Sequence, residues 1–388
     1  MNLASLALRN LSRDRVRSAL TLLGVATSIG TFLLLRTVMW AWETGTEFAV
    51  RDRVVTRHRV TFSFMLPKRY VDEVRTVPHV RAATWATWAG GRDPRHPREF
   101  FATFAVDPES YFNIYSEVIV PPEQLAAWKR DRGGAIVGDV LARRLGWKVG
   151  DTLTLESTLY RGTWPLTIDG LYTTPTRSVD HSALVFHWSY FNDQQPAAQR
   201  DGVGVVVSRV DDPARSAEVA LAIDQRFEDR DTPTRSQDER GFNASFLALF
   251  SGILGVTDVV SVAILVIMAL ILGNTIAMGV RARTNEYGVL RAIGFRPVHV
   301  VLWIVGEGVA LGAAGGALGA ALTVPFINLV VRRFVEDNLG TFFRDFRVVP
   351  ANVVLGLVLA ATLGGIAALL PAWRAARLEV VDAIRRVA

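Results

Sequence analysis

Residues Phe246–Val280 read FLALFSGILGVTDVVSVAILVIMALILGNTIAMGV. The run is 35 residues long and carries a single charge, Asp258. About 20 consecutive apolar residues suffice to cross the hydrocarbon core of a bilayer. The run is therefore a membrane-spanning helix with length to spare, since 35 residues at ~1.5 Å each reach ~50 Å. Counting ~20 residues back from Arg281 puts the outer boundary near Ser261. Phe242–Val260 is then expected to project beyond the membrane as a helical stalk.

Three further apolar runs flank this one, at residues 18–42, 298–331 and 351–371. Their presence explains the composition. The chain has 388 residues, 50% hydrophobic and 21% charged, and its mean hydropathy of +0.25 is high for that charge content. The apolar excess is segregated into the four runs, which excludes a purely soluble enzyme. The intervening residues 43–242 read as ordinary soluble protein, which excludes a compact all-membrane bundle. This block is large enough to build its own core. The expected fold is an α-helical four-span transmembrane domain plus an α+β extracytoplasmic domain inserted between spans 1 and 2.

Within the block, alternation predicts strands at 57–64, 80–88, 99–106, 135–137, 152–156, 166–172, 183–186 and 203–209. Helical patterns fall at 67–76, 122–130, 138–146 and 213–228, and 229–241 reads as a polar connection. Strands and helices mix without strict alternation, which favours α+β.

The expected order is a cytoplasmic amphipathic segment (1–17), span 1 (18–42), the core domain (43–242) and the stalk with span 2 (243–280). Then come a cytoplasmic helix or loop (281–297), span 3 (298–331), an external loop (332–350), span 4 (351–371) and a cytoplasmic tail (372–388). The first run is too long for the apolar part of a signal peptide and lacks a small-residue cleavage site, so it reads as a retained span. The N-terminal segment, the 281–297 loop and the tail carry four Arg each, and an even number of spans puts all three on one side. The positive-inside tendency makes that side cytoplasmic. The 332–350 loop also has four Arg, so charge alone favours this orientation only modestly. The net charge of +6 reads as Arg flanking the spans rather than as a nucleic-acid surface. With no Cys, disulfides, thiolate metal sites and Cys nucleophiles are excluded.

Several stretches together resemble the MacB-like, LolC-like and FtsX-like ABC transporter permeases. One span, a soluble domain and three more spans is that layout. Asn274–Met278, Arg281-x-Arg283 and Glu286-x-x-x-Leu290-Arg291-Ala292-Ile293-Gly294-Phe295 resemble the family signature after its second span. Glu307 matches a Glu typical of the third. Pro371-Ala-Trp-Arg374-Ala-Ala-Arg377 with Asp382–Arg385 resembles the C-terminal signature. Tyr111-Phe112, Val137-Gly138-Asp139 and Val149-Gly150-Asp151 resemble the extracytoplasmic core domain. The resemblance implies both termini in the cytoplasm of a bacterial inner membrane. It also implies a non-catalytic permease that works with two copies of an ABC ATPase, and with a second permease copy or a paralogue. ATP and Mg would sit on the partner ATPase, and no cofactor or metal on this chain. MacB itself carries a fused nucleotide-binding domain, whereas no G-x-x-x-x-G-K-[ST] occurs in this sequence.

Under this resemblance, Arg281, Arg283, Glu286, Leu290, Arg291 and Gly294 form the ATPase-coupling site. A short helix would present Glu286 and Arg291 to the partner, and Leu290 and Ile293 to the membrane side. Glu307, an ionisable group in an apolar run, calls for a partner, which an Arg of the coupling loop or N-terminal segment would supply. Arg36 and Asp258 lie near the outer boundary, within about a turn of each other, and would pair between spans 1 and 2. Gly308, Gly312 and Gly316 recur every four residues and would let helices approach closely; Gly315 and Gly319 would widen that groove. Asp180-His181-Ser182 places three catalytic residue types side by side, but a triad needs them converging from different elements, so no catalytic residue is expected.

The expected function is ATP-driven export or extraction at the extracytoplasmic side, by mechanotransmission through the helices. The substrate is a lipoprotein, lipid, peptide or drug. The partners are the ATPase, membrane lipid and, in a cell with two membranes, a periplasmic adaptor, but no nucleic acid. The alternative is an FtsX-like signalling permease that activates an external enzyme such as a cell-wall hydrolase. A core domain of nearly 200 residues favours the exporter.

Overall fold

The computed structural model describes residues 15–44, 50–160, 162–175, 179–249, 251–339, 343 and 345–377. The amphipathic segment up to residue 14, Arg344, and the signature Asp382–Arg385 lie outside the described residues. Two units are distinguished: residues 1–40, 251–332 and 347–388, and residues 41–250 and 333–346.

The first unit contains four helices long and apolar enough to cross a membrane: span 1 (Arg15–Thr44), span 2 (Ser251–Ala282), span 3 (Pro297–Phe326) and span 4 (Pro350–Ala376). Their buried seam joins Val25, Ile29 and Leu33 to Met268, Leu272, Ile304, Leu311, Ala360 and Ala368. Association in lipid depends on close packing rather than on release of water, and small residues permit it. Span 3 has two small-residue faces. A Cβ on Gly308 would lie 2.4 Å from the Gly364 carbonyl oxygen, one on Gly312 2.0 Å from that of Ala360, and one on Gly316 2.8 Å from the Ala360 Cβ. Gly315 and Gly319 instead meet Val25 and Ala26 of span 1, at 2.7 and 2.5 Å. They do not widen the first groove, because one residue turns a helix by about 100° and so sets them on a second face. Hydroxyls in the spans return to backbone carbonyls one turn earlier, as Ser28 does to Gly24 and Thr37 to Leu33. Thr21 and Thr275 hydrogen-bond each other at 2.9 Å, linking spans 1 and 2.

Two helix ends differ from expectation. Pro371 does not end span 4, which continues to Ala376 with Pro371, Ala372, Ala375 and Ala376 buried. Burial of these small residues outweighs the single donor that proline lacks. Residues 332–350 are not wholly a loop either. Span 3 passes through a π-helical stretch, Ile327–Val331, into a further helix, Arg332–Leu339. Pro325 disturbs the ladder just before it, the usual setting for such a widened turn. The charged sequence of 332–339 hid this helix, because apolarity reports lipid contact rather than backbone form. In the stalk region, helices cover Glu239–Ala248 and Ser251–Ala282.

The second unit is built on one sheet. Its strands are β1 (Arg53–His58), β3 (Val80–Trp88), β4 (Gly91–Arg92), β5 (Thr103–Val106), β6 (Gly134–Gly138), β7 (Thr152–Ser157), β8 (Thr163–Tyr172), β9 (Leu184–His187), β11 (Val205–Val210) and β12 (Thr234–Asp238). The order is β12-β1-β11-β3-β5-β9-β6-β8-β7-β4, and β2 (Leu66–Pro67) pairs separately with β10 (Gly202–Val203). The β5–β9 and β6–β8 pairs are parallel and the rest antiparallel. One face is sealed by the helices Arg69–Arg75, Asp139–Leu145 and Ser216–Arg226, through Tyr70, Val74, Leu141, Val219 and Ile223. Alternation in β8 puts Trp164, Leu166, Ile168 and Tyr172 in buried positions. The other face packs on Trp128, Tyr111, Phe112 and Tyr115.

Most predicted elements fall within a few residues of the observed ones. The first strand is shifted to Arg53–His58, the 203–209 strand is divided in two, and β12 was read as a polar connection. β12 has no apolar alternation because it is an edge strand. Polar bonds hold it: Asp224 accepts from the Thr234 hydroxyl at 2.8 Å and from the Ser236 amide and hydroxyl at 3.0 and 2.7 Å.

Arg53 is a deeply buried charge of this unit, 1% exposed. Its Nε donates to Glu239 Oε2 at 2.8 Å and its Nη2 to Glu117 Oε1 at 2.6 Å. The guanidinium also lies 4.4 Å from the Tyr115 ring centroid. Burial opposes the charge, but Glu239, Tyr115 and Glu117 outweigh it and hold Arg53 above its ordinary pKa. Removing one partner of a buried ion pair strands the others in a poor solvent. Arg53→Met is therefore expected to cost the domain about 3–5 kcal/mol, read as an earlier tryptophan-fluorescence transition in denaturant. An unshifted transition would refute a structural role for the cluster.

Candidate coupling site between the second and third spans

The segment after span 2 forms a helix, Thr284–Ala292. It ends at Gly294, which has φ +102°, a conformation glycine adopts without strain. The Gly294 amide donates to the Arg291 carbonyl and the Phe295 amide to that of Leu290, each at 3.1 Å. These two bonds make a Schellman cap. Gly294 thus terminates the helix and turns the chain into span 3.

Two arginines hold this helix against the spans. Arg283 Nη1 donates to both carboxylate oxygens of Glu307, at 3.2 and 3.1 Å, with both side chains 15% exposed. Tyr287 is buried beside this pair. Its phenol pKa is pushed up to about 12, first by burial and then by the Glu307 charge, with Arg283 opposing. Arg291 Nη1 donates to the Ala376 carbonyl at the end of span 4, at 3.1 Å. A cation at a helix C-terminus also meets the negative end of the helix dipole.

Leu290 is partly buried against the seam, whereas Ile293 is 69% exposed. The chain therefore does not cover Ile293; Tyr287 is the residue that packs inward. Arg281 and Glu286 are exposed, as are Val289 and Phe295. Val289, Ile293 and Phe295 are thus apolar side chains that the chain leaves uncovered on this short segment.

The other singled-out residues lie elsewhere. Arg36 and Asp258 approach to 3.9 Å with side chains 35% and 59% exposed, a geometry in which an ion pair contributes little. His181 Nδ1 meets Asp139 Oδ1 at 2.9 Å, the Ser182 hydroxyl donates to the Asp337 carbonyl at 3.4 Å, and the Asp180 carbonyl accepts from the Tyr172 hydroxyl. These three neighbours therefore serve three separate contacts. The Arg53–Glu239 pair, 186 positions apart, escaped sequence reading because nothing local marks either partner.

Four apolar helices, a clamped helix between the second and third of them, and an α+β domain inserted after the first define a multi-pass membrane protein of the permease kind. Residues 18–226 match the MacB-like periplasmic core domain, and residues 259–380 match the FtsX-like permease C-terminal domain. The chain belongs to the MacB- and FtsX-like ABC transporter permease family. It is 27% identical over 243 residues to a macrolide export ATP-binding/permease protein MacB of Chromobacterium violaceum, across 61% of this chain and 36% of that protein. It is 19% identical over 412 residues to an uncharacterized ABC transporter permease of Methanocaldococcus jannaschii, covering 99% and 98%. It is 24% identical to LolC, a lipoprotein-releasing system transmembrane protein of Xylella fastidiosa, over 64% of each chain. The chain thus spans about a third of the MacB relative's length. Among solved structures, the periplasmic region of MacB from Actinobacillus actinomycetemcomitans aligns at 9% identity and TM-score 0.37, covering 50% of this chain and 92% of that one.

Proposed function

We propose that this chain is the membrane subunit of an ABC transporter that draws on ATP hydrolysis by a separate ATPase. The reading is carried by the clamped helix Thr284–Ala292. Its inner side is tied to spans 3 and 4 through Arg283–Glu307 and Arg291–Ala376, and its outer surface offers Glu286, Val289, Ile293 and Phe295. A push on such an element is transmitted to two spans at once. The chain works as a dimer, with a second copy or a paralogue, and with two ATPases that hold the ATP and Mg. Its work is export or extraction at the extracytoplasmic side, with the help of an adaptor in a cell with two membranes. The chain itself is not a catalyst. Both termini and the 281–297 segment lie in the cytoplasm of a bacterial inner membrane, and residues 43–242 lie outside, as the Arg distribution supports.

Two results test this. The sequence holds no phosphate-binding G-x-x-x-x-G-K-[ST], so the purified chain is expected to hydrolyse no ATP. Turnover that persists through further purification would overturn the assignment. For orientation, Leu221 and Val289 are 59% and 55% exposed, and the native chain has no Cys. Leu221→Cys should react with an impermeant thiol reagent added to cells with a permeabilised outer membrane, and Val289→Cys only after lysis. Labelling of Val289→Cys from outside would reverse the topology.

A further inference from the structure

Helix runs unbroken from Pro297 to Leu339, and its last turns, from Arg333 on, belong to the core-domain unit. Within that unit one guanidinium joins three segments. Arg144, on the helix Asp139–Leu145, donates from Nη1 to the Asp337 carbonyl and from Nη2 to the Phe100 carbonyl at 3.2 Å. Its Nε lies 3.2 Å from Glu99 Oε2, and its side chain is 12% exposed. The Ser182 hydroxyl donates to the same Asp337 carbonyl at 3.4 Å. Ser182 is placed by the Asp139–Leu145 helix too: the Leu141 amide donates to the His181 carbonyl at 3.4 Å, and His181 Nδ1 meets Asp139 Oδ1 at 2.9 Å. The last four carbonyls of a helix have no partner within it, and that of Asp337 is one of them. Here two core-domain side chains take the place of water, and a cation also meets the negative end of the helix dipole. The neighbouring residue is tied as well, since Glu336 Oε1 accepts from the amide of buried Phe346 at 2.9 Å.

We propose that Arg144 is a positioning residue that fastens the core domain to span 3 and so gives the helix Thr284–Ala292 a second route to that domain, besides span 2. The route starts at Arg283–Glu307, which ties the start of that helix to span 3. It continues along Pro297–Leu339, where the π-helical turn at Ile327–Val331 widens the helix without breaking it. It ends where Arg144 and Ser182 grip Asp337. Because backbone bonds in a helix are satisfied internally, the element crosses lipid without a loose joint. The two routes enter the core sheet at different strands. Span 2 follows the helix Glu239–Ala248, which leaves the edge strand β12. Span 3 arrives at the helix that follows β6 and at Ser182, just before β9. Unequal displacement of the two spans therefore shears the sheet between β12 and β6. The charge-assisted bond at Arg144 is the stronger of the two that hold the second route.

This inference rests on the proposed function, and the two fail differently. The complex of the full chain with its ATPase, in nanodiscs, is followed by hydrogen–deuterium exchange with and without ATP and vanadate. Exchange is expected to change in Thr284–Ala292, in Glu239–Ala248 and in Asp139–Leu145. Arg144→Gln should keep the first two responses and lose the third. Without ATP, the same variant should exchange the amides of Arg332–Leu339 about tenfold faster, because a charged hydrogen bond to that helix is gone. Arg144→Lys keeps the charge but not the fork, and should recover part of the Asp139–Leu145 response. A merely structural cap would show the faster exchange with the ATP response of Asp139–Leu145 intact, and that result would overturn the proposal. So would a wild-type complex in which Thr284–Ala292 responds to ATP and Asp139–Leu145 does not, while the permease reading would stand. Absence of any response in Thr284–Ala292 would refute that reading, and this route with it. The wild-type comparison decides the matter even if Arg144→Gln fails to fold.

Discussion

Gly312→Leu is expected to leave the four-helix unit unable to assemble. An added Cβ would lie 2.0 Å from the Ala360 carbonyl oxygen and 2.8 Å from its carbon, both backbone atoms of span 4 that no rotamer change can move. The approach is reciprocal, since a Cβ on Gly364 would lie 2.2 Å from the Gly308 carbonyl oxygen. Span 3 cannot simply retreat, because Gly315 and Gly319 seat it as closely on span 1. Overpacking a core against movable side chains costs about 1–3 kcal/mol, and a backbone collision on both sides exceeds that. Gly306, on the same helix, is the control, because a Cβ there meets nothing within 4 Å. Gly306→Leu should be recovered from membranes at the wild-type yield, while Gly312→Leu should be degraded or aggregate on extraction. Equal yield and equal thermal stability for the two variants would disprove the close-packed interface.

The four spans and most strands were legible because each leaves a local trace, either a long apolar run or a two-residue alternation. What escaped has no such trace. β12 is polar because it is an edge strand satisfied by Asp224. The helix Arg332–Leu339 is charged, so hydropathy reported only where apolar contact ends. The two-sided use of glycines in span 3 follows from helical angles that a four-residue repeat conceals. At the candidate site, the Glu286–Phe295 pattern identified the segment. The isolated charge of Glu307 pointed to an Arg of this loop or of the N-terminal segment as its partner, but not to Arg283 in particular. Nothing revealed that Arg291 faces inward on Ala376 rather than toward a partner. Those contacts join residues 24 and 85 positions apart, and only the fold brings them together. The Arg53 cluster belongs to the same category.

With both arginines turned toward the spans, the outward charge of the helix falls to Glu286, and Glu286→Arg is expected to abolish productive association with the ATPase. Glu286 is exposed in the first turn of Thr284–Ala292. The apolar residues Val289, Ile293 and Phe295 are exposed on the same short segment. A partner that covers this patch takes Glu286 out of water as well, which is where a charge contact gains or loses most. Truncating one member of a buried, hydrogen-bonded charge pair costs about 2–5 kcal/mol, and reversal adds repulsion. At about 1.4 kcal/mol per tenfold, association should weaken at least tenfold, and transport should be lost with it. Reversal also removes an acidic group from a helix N-terminus, worth about 0.3–1 kcal/mol. Glu286→Gln separates the two effects, since it loses the charge without creating repulsion and should show an intermediate loss. Ile293→Asp tests the apolar patch independently and should weaken association without touching Glu286. All three variants should insert like the wild type and lose at most about 1 kcal/mol of stability, because the clamp through Arg283 and Arg291 is intact. Full complex formation and full transport by Glu286→Arg would place the ATPase interface on another segment.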